Sequence, residues 1–245
     1  MVDIHCHILP GVDDGADSLA EALEMARTSV ACGVTHLVAT PHIRGCEEDL
    51  EVIPGFHRQF QDLRQALARE NIPLELHPGA EILCSRETAA LARRGRLPVI
   101  GNTEYVLCEF YFDAPFSYMD EILADIARAG YRPVIAHPER YDAIREDRRR
   151  ILRWFREGYV IQVNKGSLLG YFGSRIRDTA CWLLDAGLLH IIATDAHSPI
   201  RRTTDLTRMR QWLLDRYPRG YVRLLLEENP RRLIRGDAMA PTEGF

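Results

Sequence analysis

Short apolar runs alternate along the whole chain with longer segments in which apolar positions recur every three to four residues. The short runs predict seven strands, at residues 2–5, 34–40, 74–81, 105–110, 133–137, 160–164 and 190–194. The longer segments predict helices at 18–32, 56–70, 86–93, 118–129, 144–157, 174–186 and 205–216, with a terminal helical stretch at 220–235. Ser18 followed by Glu21 reads as a capping box, and Gly33, Gly130, Gly158 and Gly187 fall where a helix end calls for a left-handed residue. Such repetition predicts parallel strands with right-handed crossovers, either closed into a barrel or laid out as an open sheet.

The polar residues at the strand ends decide between the two. In a barrel of this kind, chemistry collects at the C-terminal ends of the strands. The first strand ends at His5 and His7, the second leads to His42, the third to Glu81, the fourth to Glu109, the fifth to His137 and the seventh to Asp195 and His197. An open sheet would scatter these ends, whereas a closed barrel gathers them. The expected fold is therefore α/β, a distorted TIM-like (β/α)7 barrel of parallel strands. His5-x-His7 alone is a weak pattern: on a strand both rings share a face and can reach one ion, but such pairs also arise by chance. The furnished ends of the other strands are what make it a site. The irregular stretches 8–17, 42–55, 111–117 and 164–173 each follow a strand end and are candidate walls.

With 245 residues, 46% of them hydrophobic, the chain can fill a full core as a single domain over 1–245, with a tail at 237–245 expected to fray. The chain shows neither a signal-peptide pattern nor a run of about 20 apolar residues. That predicts a soluble cytoplasmic protein without membrane insertion. Six cysteines without a C-x-x-C pair fit a reducing compartment. A net charge of -4 argues against nucleic acid, and the arginine runs at 148–150 and 231–232, among acidic neighbours, read as solvated helix faces.

The candidate ligands are His5, His7, His42, Glu81, Glu109, His137, Asp195 and His197, with Asp14 from the first loop. They exceed what one or two catalytic ions need, since each such ion keeps positions open for water and substrate. Three divalent ions sharing bridging carboxylates fit the set, and the mixed imidazole and carboxylate donors suit manganese, iron, cobalt or zinc without choosing among them. Ions so placed imply an anionic substrate, phosphate above all. Arg140, and Arg201 or Arg202, can pair phosphoryl oxygens; a surface salt bridge is the plain alternative for each. No cysteine is followed six residues on by arginine, as a thiol phosphatase requires, and the P-loop, dinucleotide and serine-hydrolase motifs are missing. An amidohydrolase barrel also begins with His-x-His, but where that class uses a lysine after strand four this chain has Glu109, and the sole lysine, Lys165, follows strand six.

With these residues in place, the chain resembles the polymerase and histidinol phosphatase (PHP) family, and within it the capsule-type bacterial protein-tyrosine phosphatases. The matching segments are Asp3-Ile4-His5-Cys6-His7, Val12-Asp13-Asp14-Gly15, Thr40-Pro41-His42, Gly79-Ala80-Glu81-Ile82, Glu109-Phe110, Ala136-His137-Pro138-Glu139-Arg140-Tyr141, Gln162-Val163-Asn164, Thr194-Asp195-Ala196-His197 and Glu228-Asn229-Pro230-Arg231. The resemblance implies a PHP-type barrel that hydrolyses phosphotyrosine through a metal-bridging hydroxide. It further implies one ion on His5, His7, Glu81 and Asp195, a second on Glu81, Glu109 and His137, and a third on Asp14, His42 and His197. Arg140 with Arg202 would hold phosphate, with the choice between Arg201 and Arg202 left open, and His42 is a candidate proton donor. The implied partner is a phosphotyrosine protein, an autophosphorylating bacterial tyrosine kinase of the capsule or exopolysaccharide system, and relatives suggest a homo-oligomer. The aromatic stretch 111–116 is a candidate bed for the phenol ring. A small-molecule phosphatase, such as one for histidinol phosphate, is the alternative.

Overall fold

A computed structural model describes residues 1–242, in which nine strands run as β1 (Val2–Cys6), β2 (His36–Ala39), β3 (His42–Ile43), β4 (Glu75–Pro78), β5 (Glu81–Leu83), β6 (Tyr105–Glu109), β7 (Arg132–Ala136), β8 (Val160–Asn164) and β9 (Ile191–Ala193). The helices between and after them are α1 (Leu19–Ala31), α2 (Glu47–Leu50), α3 (Ile53–Arg69), α4 (Arg86–Arg93), α5 (Phe116–Arg128), α6 (Asp142–Glu146), α7 (Ile151–Arg156), α8 (Lys165–Leu168), α9 (Ser174–Asp185), α10 (Thr207–Leu214), α11 (Arg219–Arg223) and α12 (Asn229–Arg235). Every strand pair is parallel.

Two of the seven expected strands are each split in two. The second breaks at Thr40-Pro41 into β2 and β3, and the third at Gly79-Ala80 into β4 and β5. Pro41 has no N–H to give a ladder, and a Cβ at Gly79 would press into Val38. The lower halves form the sheet β1-β2-β4 and the upper halves join β3-β5-β6-β7-β8-β9. The ring closes between first and last strands, where His7 N–H donates to the Ala196 carbonyl (2.9 Å) and Asp195 N–H to that of His5 (2.9 Å). Asp3 reinforces this seam by accepting from the N–H (3.1 Å) and hydroxyl of Thr194.

Alternation along the strands explains what fills the barrel. Tyr105 and Leu107 share a face with Glu109, Val160 with Gln162 and Asn164, and Ile191 and Ala193 with Asp195. The lower members join Val2, Ile4, Val38 and Val134 in an apolar cluster inside the barrel, and the upper members are polar. A larger apolar layer, including Met25, Leu37, Leu63, Leu76, Ile135 and Leu183, lies between strands and helices.

The expected helix at 144–157 is interrupted, because Asp147 is extended and its carboxylate caps a short 3-10 turn at Arg149 before α7 begins. At the start of α1 the Ser18 hydroxyl accepts the Glu21 N–H, but the Glu21 carboxylate turns to the Asp17 N–H, so the expected box is only half formed. Gly33, Gly130, Gly158 and Gly187 all have positive φ, as helix ends of this type require. Residues 220–235 are helical but pass through a π-helical segment at Leu224–Glu228. The described part of the tail is tied back onto the barrel. Tyr105 donates to the Asp237 carbonyl (2.7 Å), Asn229 brackets Ala240, and the buried Thr242 donates to Gly187 (2.6 Å). Residues 243–245 of that expected tail lie outside the described residues. No described helix is long and apolar enough to cross a membrane.

His190, at the foot of β9, is buried; its Nδ1 accepts the Ile161 N–H (3.0 Å) and its ring stacks on Phe155. Burial pushes its pKa down to about 4. The unfolded chain binds a proton near pH 6.5 that the folded chain refuses until about 4, so this stability is present above the upper value and is lost as pH falls through the window. At roughly 1.4 kcal/mol per unit the loss reaches about 3 kcal/mol. His190→Gln, which keeps an acceptor for Ile161, is expected to flatten the pH dependence of denaturant stability between pH 6.5 and 4. An unchanged slope would show that His190 is not the source.

Candidate metal centre

The upper ends of the strands converge on one polar cluster. β1 supplies His5 and leads directly into His7, and the register of β3 on β5 sets His42 beside Glu81. β6 ends at Glu109, and β7 and β9 lead directly into His137 and Asp195. His5 Nε2 lies 3.3 Å from His7 Nε2, 3.1 Å from Glu81 Oε2 and 3.5 Å from Asp195 Oδ1. His7 Nε2 lies 3.2 Å and 3.5 Å from the same two oxygens. His137 Nε2 approaches Glu81 Oε1 (3.0 Å) and Glu109 Oε1 (3.5 Å), while His42 Nδ1 faces Glu81 Oε2 (3.2 Å) and Glu109 Oε2 (3.6 Å). Asp14 Oδ1 reaches His42 Nε2 (3.5 Å) and His197 Nε2 (3.3 Å). All nine candidate ligands are thus brought together.

Hydrogen bonds on the far side of the rings fix which nitrogen faces inward. His5 Nδ1–H donates to Gln162 Oε1 (2.9 Å), His7 Nδ1–H to Asp13 Oδ2 (2.8 Å) and His197 Nδ1–H to the Asp195 carbonyl (3.1 Å). Their Nε2 lone pairs are left pointing at carboxylate oxygens, so acceptors face acceptors, and the buried Asp195 Oδ1 has no hydrogen-bond partner. Only protons or cations can relieve such an arrangement. Separations of 3.1–3.5 Å around His5, His7, Glu81 and Asp195 also match the edges, about 3.3 Å, of a tetrahedron with metal–ligand bonds near 2.05 Å. The donor set fits divalent transition ions. Without them the cluster gathers protons: burial opposes charging of His5, yet Glu81 and Asp195 hold its pKa up to about 9, and burial with Glu81 pushes Glu109 up to about 8.

Asp13, Gln162 and Asn164 have roles the ligand count did not reveal. Asp13 holds His7 and accepts the N–H groups of Gly15 and His42 (both 3.0 Å). Gln162 donates to Asn164 (2.8 Å), and Asn164 donates to Asp195 Oδ2 (2.5 Å). Gly15 permits this loop, because a Cβ there would collide with the His7 carbonyl oxygen. Asp13→Ala leaves the His7 ring unanchored, and a change at this kind of supporting residue costs about 10- to 100-fold in metal affinity. That loss is the expected result of a manganese titration, and unchanged affinity would deny Asp13 the role.

Arg140 and Arg202 approach the cluster from one side. Arg202 Nη2 contacts Asp195 Oδ2 (2.5 Å) and Arg140 Nη1 lies 3.6 Å from the same oxygen. Arg140 sits between the rings of Phe112 (4.3 Å) and Phe172 (4.9 Å), and Arg202 also borders Phe172. Phe172 lies in the stretch 164–173 expected as a wall, although no pattern singled out its ring. Between Arg201 and Arg202, left open by the sequence, the local turn favours Arg202. The Ser198 hydroxyl accepts the Arg201 N–H and donates to its carbonyl, Arg202 takes a left-handed φ of 49°, and the turn sends Arg202 into the site while Arg201 stays exposed. Lys165 is buried behind this turn and donates to the Thr203 and Asp205 carbonyls, bracing the segment that carries Arg202. His42 turns both ring nitrogens towards carboxylates, Nε2 towards Asp14 and Nδ1 towards Glu81 and Glu109.

His137, Asp195 and Arg202 are three of the four described non-glycine residues with positive φ. Strained backbone gathered at one cluster marks a place where side-chain aim outweighs local ease. A cavity of about 180 Å³ opens between Asp14, Glu109, Arg140 and Arg202. Beside it lies one of about 380 Å³, walled by His42, Arg44, Glu109, Tyr111 and Phe112.

Residues 1–235 match the family model for capsular polysaccharide synthesis, CpsB/CapC. The chain is 35% identical to the tyrosine-protein phosphatase YwqE of Bacillus subtilis over 98% of its own length and 93% of that protein. It is 28% identical to the tyrosine-protein phosphatase CpsB of Streptococcus pneumoniae, over 96% and 98% of the two chains. A crystal structure from work on these two, described as metal-dependent tyrosine phosphatases, superposes with a TM-score of 0.86 at 33% identity, covering 100% of this chain and 99% of that one.

Proposed function

The chain belongs to the CpsB/CapC family, and from that premise we propose that it is a metal-dependent protein-tyrosine phosphatase. One observation carries the reading: an acceptor-only cluster suited to cations lies beside two guanidinium groups and a ring-sized, aromatic-walled cavity. Three ions are proposed, on His5, His7, Glu81 and Asp195, on Glu81, Glu109 and His137, and on Asp14, His42 and His197, with manganese as the first choice. When bound, divalent ions supply charge neutralisation for phosphoryl oxygens and lower the pKa of water, both of which phosphomonoester hydrolysis at neutral pH needs.

The chain's own residues do the rest. Arg140 and Arg202 present N–H donors to the phosphoryl oxygens and hold the group in line, where charge builds as the bond to the leaving oxygen lengthens. Phe172 and Phe112 fix the Arg140 plane, and Phe112 with Tyr111 walls the phenol ring. A phenolate, with a pKa near 10, leaves without strong protonation, so proton donation by His42 is an aid to the step rather than a requirement. Tyr111, Phe112, Tyr171, Ile200, Leu19 and Val52, the exposed large apolar residues among those described, all lie on segments that follow strand C-termini. Of these, Tyr111 and Phe112 wall the cavity beside the cluster, and exposed aromatic surface there supports a protein segment as substrate over a small hydrophilic metabolite.

The proposed physiological partner is an autophosphorylating bacterial tyrosine kinase of the capsule system, acting in the cytoplasm. The family's connection with capsular polysaccharide synthesis and the six free cysteines support this. Self-association of the chain is part of the same proposal. The test is turnover of a phosphotyrosine peptide and of histidinol phosphate by manganese-loaded protein. At least a tenfold preference in kcat/KM for the peptide is expected, and preference for histidinol phosphate would overturn the reading.

A further inference from the structure

His36, Glu75 and His77 form a second group of metal-ligating side chains, at the opposite end of the barrel from the catalytic cluster. β2 and β4 pair in parallel with His36 opposite Glu75 and Val38 opposite His77. Val38 belongs to the cluster inside the barrel, so His36, two residues earlier, faces the same way. Leu76 packs in the outer layer, so its neighbours Glu75 and His77 also face inward. The three side chains therefore meet at the lower mouth of the barrel, below the apolar plug. The nearby floor is closed by Leu233, Ile234 and Met239 from the C-terminal segment.

The geometry points to a divalent metal site, and we propose that these three residues bind one borderline transition ion, zinc in the first instance. His36 Nδ1 lies 3.2 Å from His77 Nε2 and 3.4 Å from Glu75 Oε2, and His77 Nε2 lies 3.6 Å from Glu75 Oε1. For bonds of about 2.05 Å the edge of a tetrahedron is about 3.3 Å, which the two ring nitrogens already match; one Glu75 oxygen lies near each ring, and one ligand atom from each of the three residues lies within 4.8 Å of the others, so a small turn of the exposed Glu75 carboxylate completes the face. Two imidazoles and one carboxylate suit zinc, copper or nickel better than magnesium or calcium, which prefer oxygen alone. The rings are only about one-fifth exposed while Glu75 is 63% exposed, which leaves an approach for the ion and room for water in the fourth position.

The site has a mechanical consequence. β4 stands at the end of its three-stranded sheet, with β2 as its strand neighbour on one side only. An ion bound by one residue of β2 and two of β4 clamps that edge where no further ladder holds it. It takes no part in phosphate chemistry, so its loss leaves turnover unchanged.

The experiment compares wild type, His77→Gln and Glu75→Gln. Each is dialysed against zinc, freed of excess metal and analysed for ions per chain, with melting followed at increasing zinc and phosphotyrosine turnover followed after manganese loading. The expected result is one fewer zinc per chain in His77→Gln and a weakening of at least tenfold in Glu75→Gln. The part of the zinc-dependent rise in melting temperature that comes from this site is lost in both, with turnover as in wild type. Glu75 is exposed, so its variant folds even if His77→Gln does not. Equal zinc content and equal melting shifts across the three proteins would overturn the proposal and leave the two rings as a simple hydrogen-bonded pair.

Discussion

Replacing Glu81 with glutamine is expected to remove bound ions and to lower phosphotyrosine turnover by about 10³-fold or more. Glu81 is 1% exposed and touches four imidazoles: Oε2 lies 3.1–3.2 Å from His5, His7 and His42, and Oε1 lies 3.0 Å from His137. No other carboxylate in the cluster reaches so many. A glutamine keeps the shape but removes the charge and turns one acceptor into an N–H donor aimed at ring lone pairs. About 10³ in rate corresponds to ~4 kcal/mol, the several kcal/mol that metal charge stabilisation contributes to hydrolysis of this kind. Metal analysis beside steady-state kinetics checks this, with circular dichroism to establish that the variant folds. Wild-type ion content at wild-type rate would remove Glu81 from the centre of the site.

Glu81 also shows how much could be read in the sequence. Its place at the end of the third apolar run marked it as a ligand, and the parallel barrel that gathers such ends follows from the alternation of periods alone. What the periodicity did not carry was the split of that run at Gly79-Ala80, which depends on local backbone rather than on pattern. The split has a structural effect, since it lets the lower half pair with β2 while Glu81 on the upper half registers against His42.

Residues that act through another residue were harder to see. Asp13 and Gln162 lie in segments that carry the family resemblance, but their roles appear only when the fold sets them behind His7 and His5. Gln162 and Asn164 did carry a trace, being polar at alternate positions of an otherwise apolar strand that is buried throughout. The choice between Arg201 and Arg202 rests on one left-handed φ, a property that no periodicity encodes. The group His36, Glu75 and His77 stayed hidden because His36 lies about 40 residues before the other two and becomes their neighbour only through strand register.

Arg140→Ala is the second large effect expected, and it separates phosphate binding from support of the metal cluster. Arg140 sits between two aromatic rings, with 18% of its side chain exposed and Nη1 3.6 Å from Asp195. If its work is to neutralise Asp195, the alanine variant loses ions together with activity. Arg202 already contacts that oxygen at 2.5 Å and Asn164 donates to it as well, so Asp195 keeps two partners without Arg140. The expected outcome is therefore full metal content with kcat/KM lowered by about 10²- to 10³-fold, the usual cost of losing one donor that stabilises transition-state charge. Arg140→Lys retains the charge but not the planar fork or its stacking between rings, so it should recover only part of the loss. Full recovery by lysine would mean that charge alone suffices and that the Phe112–Arg140–Phe172 stack has no part in orienting the phosphoryl group.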